Sequence, residues 1–409
     1  MSDGLPTIYS SVIGLDVHQS KINACWIRND DQGEMCIEQR EFGTFKRDRR
    51  ELALWVKSCN IEAVVMESTG VYWKSPYAAL ERIGIKPWVV NARHIKSVPG
   101  RKTDVADAQW LAMLARAGLL RPSFIPEATL REARLVAHYR QKLVSILSAE
   151  KNRLHKVLVD AGIYLNVLVS DLHGKTAREM VKAIIEGQSA EAIVEMAGPL
   201  RANREELLES LHAESWSEAH RFVLKHIMHH IETLESEVEV FDLKLAEQLA
   251  PWKGLLQLLQ TIPGIDAPGA ALLLAEIGGD MSCFGSAERL ASWAGICPGN
   301  NESAGKRKSG RIRQGNVWLK RLLCEIAQAA ARTRCGLKAK FEALKIRKGY
   351  KKSVIALAHK ILRIIYSMLS NNKPYKDTTV NYEELMVQRN APRWLRMLDQ
   401  YGFLANLKA

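Results

Sequence analysis

Two carboxylates three residues apart, Asp104 and Asp107, stand at the head of the apolar run Trp110-Leu111-Ala112-Met113-Leu114-Ala115. Helical spacing would stack them on one face with Cβ atoms roughly 5–6 Å apart. Acids so close repel unless a cation lies between them or water screens them. The pair alone has an ordinary explanation, since acids in a first helical turn suit the macrodipole. Two further acids end apolar runs upstream: Asp16 after Ser11-Val12-Ile13-Gly14-Leu15, and Glu67 after Ala63-Val64-Val65-Met66. Singly, each reads as a solvated strand-end residue. Together, the four carboxylates could gather at one sheet edge. Oxygen-rich clusters of this kind take Mg²⁺ or Mn²⁺, and two such ions can clamp the attacking and leaving oxygens of a phosphodiester. Another chemistry is written far downstream, where Ser303 precedes Lys306, Arg307, Lys308, Arg311 and Arg313 in a glycine-rich loop. Positive charge there would favour a serine alkoxide and bind a phosphate, and no Ser-His-Asp pattern accompanies it.

The elements that must position these groups follow from hydrophobic period and turn chemistry. Residues 11–17, 22–27 and 35–42 read as three strands in hairpin succession. A helix over 47–58, a strand over 63–67, a helix over 72–83 and a strand over 87–90 continue as an alternating α/β pattern. Residues 8–125 therefore read as one α/β domain, which carries the four carboxylates. In residues 126–250, Val136, Tyr139, Leu143, Ile146, Leu154 and Val157 mark one long amphipathic helix. Ile227, Ile231, Leu234, Val238, Phe241 and Leu245 mark a second, with the alternating steps of a coiled-coil seam. These helices are expected to pair with each other or with a second subunit, making this the coiled-coil and oligomerisation region. The piece 161–217 looks helical and inserted, with no assigned role. Residues 251–375 read as a mainly α C-terminal domain, and 376–409 as a peripheral tail. Within the C-terminal domain, the run Thr261-Ile262-Pro263-Gly264-Ile265-Asp266 between two apolar helical stretches resembles a helix-hairpin-helix. Gly264 would let the turn and the following helix N-terminus offer N–H groups to a phosphate. The bland alternative is a plain αα-hairpin.

Charge points to a polyanion. The chain of 409 residues carries a net +13, yet from Ala294 onward 24 Lys and Arg face 7 Asp and Glu, so that the preceding part is slightly acidic. A basic C-terminal third suits nucleic acid. Between Glu186 and Glu247, 14 acids against 5 basic residues make phosphate contact unfavourable. Seven cysteines without a CxxC pair read as thiols of a reducing compartment. No stretch resembles a signal peptide and none has the ~18–20 apolar residues of a membrane span. The expected location is the cytoplasm, at the bacterial nucleoid when acting, with no membrane partner.

Gly-Leu-Asp-Val-His at 14–18, Met-Glu-Ser-Thr-Gly at 66–70 and Lys-Thr-Asp-Val-Ala-Asp-Ala at 102–108 closely resemble the motifs of DEDD insertion-sequence transposases. These have a RuvC-like, ribonuclease-H-type N-terminal domain. Carried over singly, Asp16, Glu67, Asp104 and Asp107 match that family's metal-binding acids. Pro298 through the basic run resembles the family's second signature, and Ser303 falls at its nucleophilic serine. Ala304 intervenes before Gly305, where the usual form has glycine directly after the serine. The resemblance implies a covalent phosphoserine link to DNA and a carboxylate site holding Mg²⁺ or Mn²⁺. It also implies donor and target DNA as substrates, dimers or tetramers, and guidance by a structured RNA of the bridge-RNA kind. Two rivals share some of these features. A RuvC-type nuclease on branched DNA would need the carboxylates but not Ser303, and a non-catalytic nucleic-acid-binding protein would need only the basic third.

Overall fold

The computed structural model describes residues 7–68, 70–92, 95, 107–198, 202–213, 215–298, 301–303, 306–309, 312, 314–377 and 382–403. The chain divides into two compact units, residues 1–125 and 126–409.

The first unit is built on a five-stranded mixed sheet. Strands β1 (Ser11–Val17), β2 (Lys21–Asn29), β3 (Met35–Gly43), β4 (Ala63–Glu67) and β5 (Trp88–Val90) lie in the order β3-β2-β1-β4-β5. β1, β2 and β3 are antiparallel neighbours, while β4 runs parallel to both β1 and β5. β1 is central and buried on both faces, which explains its nearly continuous apolar sequence. β3 is an edge strand that carries Glu38, Arg40 and Glu41, charges that discourage pairing with another chain. Helix α1 (Lys46–Ser58) buries Leu52, Ala53, Trp55 and Val56 against Ile13, Leu15 and Met66 on one sheet face. The shorter α2 (Lys74–Glu81) adds Tyr77 and Leu80 to the same cluster. Helix α3 (Asp107–Arg116) covers the opposite face, where Ala108 and Ala112 meet Val12, Cys25 and Ala63.

Among the described residues the second unit is helical apart from one hairpin and the isolated Pro298–Ile312 bridge. Helices α4 (Ala128–Asp160) and α9 (Glu218–Gln248) pair antiparallel: Arg140 bonds Asp242, Lys151 bonds Glu235 and Asp160 meets His220. Ile231, Leu234 and Leu245 of the heptad seam are buried within this one chain. Each such burial contributes about 1.5–3 kcal/mol. Of the two partners expected for the seam, the helix of the same subunit takes it. Glu150, a polar step in the α4 pattern, is buried too, bonded by Arg153 and facing His230. The inserted piece forms α5 (Leu165–Leu168), α6 (Lys175–Glu186), α7 (Ala190–Glu195) and α8 (Arg204–Leu211). These share one apolar cluster with Leu154 and Leu158 of α4 and Leu224, Met228 and Ile231 of α9.

Beyond α9 come α10 (Lys253–Gln260), α11 (Ala267–Ile277), α12 (Ala287–Ala294), strands β6 (Asn301–Ser303) and β7 (Lys306–Ser309), and helices α13 (Val317–Arg332), α14 (Gly336–Lys348), α15 (Tyr350–Asn371) and α16 (Tyr382–Gln400). α15 is the one described helix long and apolar enough to cross a membrane, and half of that apolar stretch is buried inside this unit. The polar tail thus carries α16, which packs on α14. Among the described residues all seven cysteines are thiols, with none in a disulfide.

Candidate functional site

The sheet register brings Asp16 and Glu67 to one level. Leu15 is paired with Met66 in the parallel β1–β4 ladder, and each acid is the next residue along. Side chains alternate across a strand, so Asp16 shares a face with Gly14, and Glu67 shares one with Val65. Both faces are the one under α3. Val65 clusters with Trp110, Leu111 and Leu114, and a Cβ on Gly14 would lie 2.1 Å from the Ala108 carbonyl oxygen and 2.7 Å from the Ala112 nitrogen. Gly14 is therefore a close crossing of helix backbone over strand, which no side chain could occupy. α3 also runs antiparallel to β1, because the Ile8 and Tyr9 N–H groups donate to the Arg116 carbonyl at its far end. Its first residue, Asp107, consequently lies toward the end of β1 that carries Asp16.

Asp16 is mostly shielded, and its Oδ2 accepts from His18 Nε2 at 2.8 Å. His18 lines a cleft of about 450 Å³ together with Lys21 and the exposed Tyr72. Trp73 packs instead with the core under the sheet, edge-on to Tyr77. Asp104, and the basic residues Arg93, His94, Lys96, Arg101 and Lys102 ahead of it, lie outside the described residues. Among the described residues no three His, Cys, Asp or Glu form a complete metal-binding group. The donor chemistry nonetheless fits a hard divalent cation, since the acids that share this sheet end offer carboxylate oxygens.

The loop expected around Ser303 contains a two-stranded hairpin. Ser303 pairs with Lys306 and Glu302 with Arg307, and a register shift at Asn301/Glu302 brings Asn301 opposite Ser309. A bridge between Pro298 and Ile312 closes its base. Lys308 belongs to β7, whereas Arg311 and Arg313 lie outside the described residues. Gly315 then passes so close to α12 that a Cβ would stand 2.4 Å from backbone atoms of Ala294 and Gly295.

Two family profiles match the chain: the DEDD-type IS110 transposase profile over residues 13–163, and the IS116/IS110/IS902 transposase profile over 256–342. The first spans Asp16, Glu67, Asp104 and Asp107, and the second spans Ser303. The chain is an IS110-family transposase. A transposase for insertion sequence element IS1111A from Coxiella burnetii is 24% identical over 375 residues, covering 89% of this chain and 91% of that one. A pilin gene-inverting protein from Moraxella bovis is 23% identical over 372 residues, covering 89% and 97%. A solved Thermus thermophilus RuvC structure aligns at TM-score 0.22 and 15% identity, covering 28% of this chain and 99% of that one.

Several groups in the transposase went unmarked by sequence motifs. Glu276, wholly buried in α11, accepts from His138 at 2.5 Å and from Asn316, and Arg134 Nε stands 3.5 Å away. Burial opposes its charge, but the His138 bond, the Arg134 cation and the Asn316 bond outweigh it and hold the carboxyl below its ordinary range. Its one sequence signal was an acid alone in Leu272-Leu273-Leu274-Ala275-Glu276-Ile277. Gly264 has a packing reason: at φ +90 it presses on α13, where a Cβ would meet the Ala330 nitrogen at 2.5 Å. The following helix N-terminus is occupied by Asp266, which accepts from the Gly269 N–H, and Pro268 removes another donor. Two basic clefts also appear. Arg40, Lys46, Arg47 and Arg50 surround Trp55 in the first unit, and Lys340, Lys360, Lys373 and Lys376 line a cavity of about 350 Å³ in the second. Burial lowers the Lys340 pKa, and the neighbouring Lys360 and Arg389 lower it further.

Proposed function

We propose that this transposase cleaves and rejoins DNA strands to move a mobile element, with Ser303 as the nucleophile. The Ser303 hydroxyl loses its proton and its Oγ attacks the phosphorus. One P–O bond of the DNA breaks as the serine–phosphate bond forms, and the departing strand leaves as a free hydroxyl. Attack by another strand's hydroxyl reverses the exchange and restores the serine, so one phosphoester replaces another without an external energy source. Lys306, Arg307, Lys308, Arg311 and Arg313 offer positive charge for the phosphate at this step.

The observation that carries the reading is the placement of Asp16 and Glu67 side by side at the ends of parallel strands, beneath the helix that Asp107 opens. With Asp104, these residues would hold the divalent ions, Mg²⁺ or Mn²⁺. Such ions supply charge that polarises a phosphodiester and stabilises its leaving oxygen. The substrates are donor and target DNA. A structured guide RNA from the element follows from the family likeness, and the basic C-terminal third supports a second polyanion. Assembly as a dimer or tetramer, in the cytoplasm at the nucleoid, completes the proposal. Because the heptad seam is occupied inside each chain, self-association would use other faces. Exposed Leu135 and Tyr139 of α4 and Val240 and Leu243 of α9 are available. The test is a denaturing gel of the full-length protein with labelled DNA carrying the element's ends and RNA transcribed from the element. A covalent band lost in Ser303→Ala is expected, and strand cleavage persisting in that variant would favour water attack by a RuvC-type nuclease.

A further inference from the structure

We propose that Glu276 is a positioning residue for strand exchange: through Asn316 it clamps the exit of the Ser303 hairpin onto helix α4. This rests on the serine reading above. Asn316 follows the hairpin segment at the start of α13, and both ends of its side chain are used. Its Oδ1 caps α13 by accepting from the Leu319 N–H at 3.0 Å, while its Nδ2 donates to Glu276 Oε2. The other Glu276 oxygen accepts from His138, whose ring stacks on Trp318 with centroids 4.2 Å apart and planes 13° off parallel. Arg134, one turn earlier on α4, donates to the Ala275 and Glu276 carbonyls at 3.2 and 2.6 Å. Three elements distant in sequence thus meet at one buried carboxylate.

Among the described residues, the Pro298–Ile312 bridge and the press of Gly315 on Gly295 also tie the hairpin base. Both are backbone contacts within residues 294–315. The Glu276–Asn316 bond alone among these ties reaches α11 and, through His138, α4. Stability is a poor reason for such a carboxylate, because well-packed apolar residues often replace a buried ion pair without loss. Direction is a better one: a charged hydrogen bond holds its partner at a fixed distance and angle. A nucleophile needs that, since a misplacement of about 1 Å can cost roughly a hundredfold in rate.

The test measures serine–DNA adduct formation at saturating labelled end DNA with element RNA, beside DNA affinity and thermal melting. Asn316→Asp keeps the oxygen that caps α13 but turns an acceptor toward Glu276. Adduct formation should slow by about ten- to a hundredfold while DNA affinity stays within about twofold. Glu276→Gln combined with Asn316→Asp restores a donor–acceptor pair with reversed direction, and its rate should return to within about threefold of the parent. A merely structural role would lower melting and affinity together and would not be rescued by the swap. Glu276→Leu covers the case of Asn316→Asp failing to fold: it strands Arg134, His138 and Asn316 without their carboxylate and so should melt lower. Assayed well below its melting temperature, it should still lose the rate, with DNA affinity within about twofold. Parental adduct rates in folded Asn316→Asp or Glu276→Leu, or no recovery in a swap that melts like the parent, would overturn the proposal. Ser303→Ala is assayed alongside, and an adduct in that variant would instead overturn the serine reading.

Discussion

Asp16 and Glu67 ride on adjacent strands in the middle of a five-stranded sheet, whereas Ser303 rides on a two-stranded hairpin tied at its base to a buried polar node. The acids are placed by backbone register and strand alternation, which side-chain substitutions elsewhere disturb little. The hairpin that carries the serine leads into Asn316, whose side chain bonds Glu276 and through it His138, and each of those contacts can be removed singly. Under the proposed function, rigid placement would suit groups that hold ions, while a hairpin held at its base would suit a nucleophile that accepts a large polyanionic substrate.

The largest expected effect concerns the acids. Asp16→Asn or Asp104→Asn should lose strand cleavage by roughly 10²–10³-fold or more while the protein stays folded. Chelation of divalent ions should act likewise, and cleavage at an ordinary rate by either variant would remove these acids from the chemistry. The seam comes next. Leu234→Lys sets a charge against α4 of the same chain, so it should destabilise by about 2–4 kcal/mol while the oligomer mass by light scattering stays unchanged. A stable monomer would show instead that the seam joins subunits.

Gly14→Ala and Gly264→Ala sharpen the comparison, because each drives a methyl group into helix backbone. Both should lower stability by about 1–3 kcal/mol in thermal or denaturant unfolding. Gly14→Ala should also weaken divalent-ion binding, since it displaces the helix that Asp107 opens, and Gly264→Ala should not.

The smallest effect is pH-dependent. The bond from Arg178, then that from Lys151, lowers the Glu235 pKa to about 2, against a reference near 4.5. A depressed carboxylate stabilises the fold above its unfolded pKa, and that stabilisation is lost as pH falls through the folded value. The contribution should therefore fade between about pH 4.5 and 2. It is worth about 1 kcal/mol after solvent screening, and Glu235→Gln should flatten stability over that window.

Much of the acid region was legible in the sequence because strand period and register are local. Ser11–Val17 and Ala63–Glu67 announce buried strands, and acids at their ends need only parallel pairing to become neighbours. The long helices were equally plain from their steps of three and four. The serine region was not, because short basic Lys306–Ser309 has no β-branched or aromatic residue to mark a strand. Its pairing is set by the bridge at Pro298–Ile312 and the crossing at Gly315. The Glu276 node was hidden for a related reason: its members are about 140 and 40 residues apart, and nothing local ties His138 to Asn316. The α16 helix escaped notice because its composition is polar and its apolar residues stay largely exposed.

The most direct measurement is mass spectrometry of the protein after reaction with DNA carrying the element's ends, in the presence of Mg²⁺ and element RNA. The account predicts a nucleotide phosphate joined to the peptide that contains Ser303, absent from Ser303→Ala and from Asp16→Asn. A cleaved substrate with no protein-linked phosphate, or a phosphate linked to another residue, would contradict it.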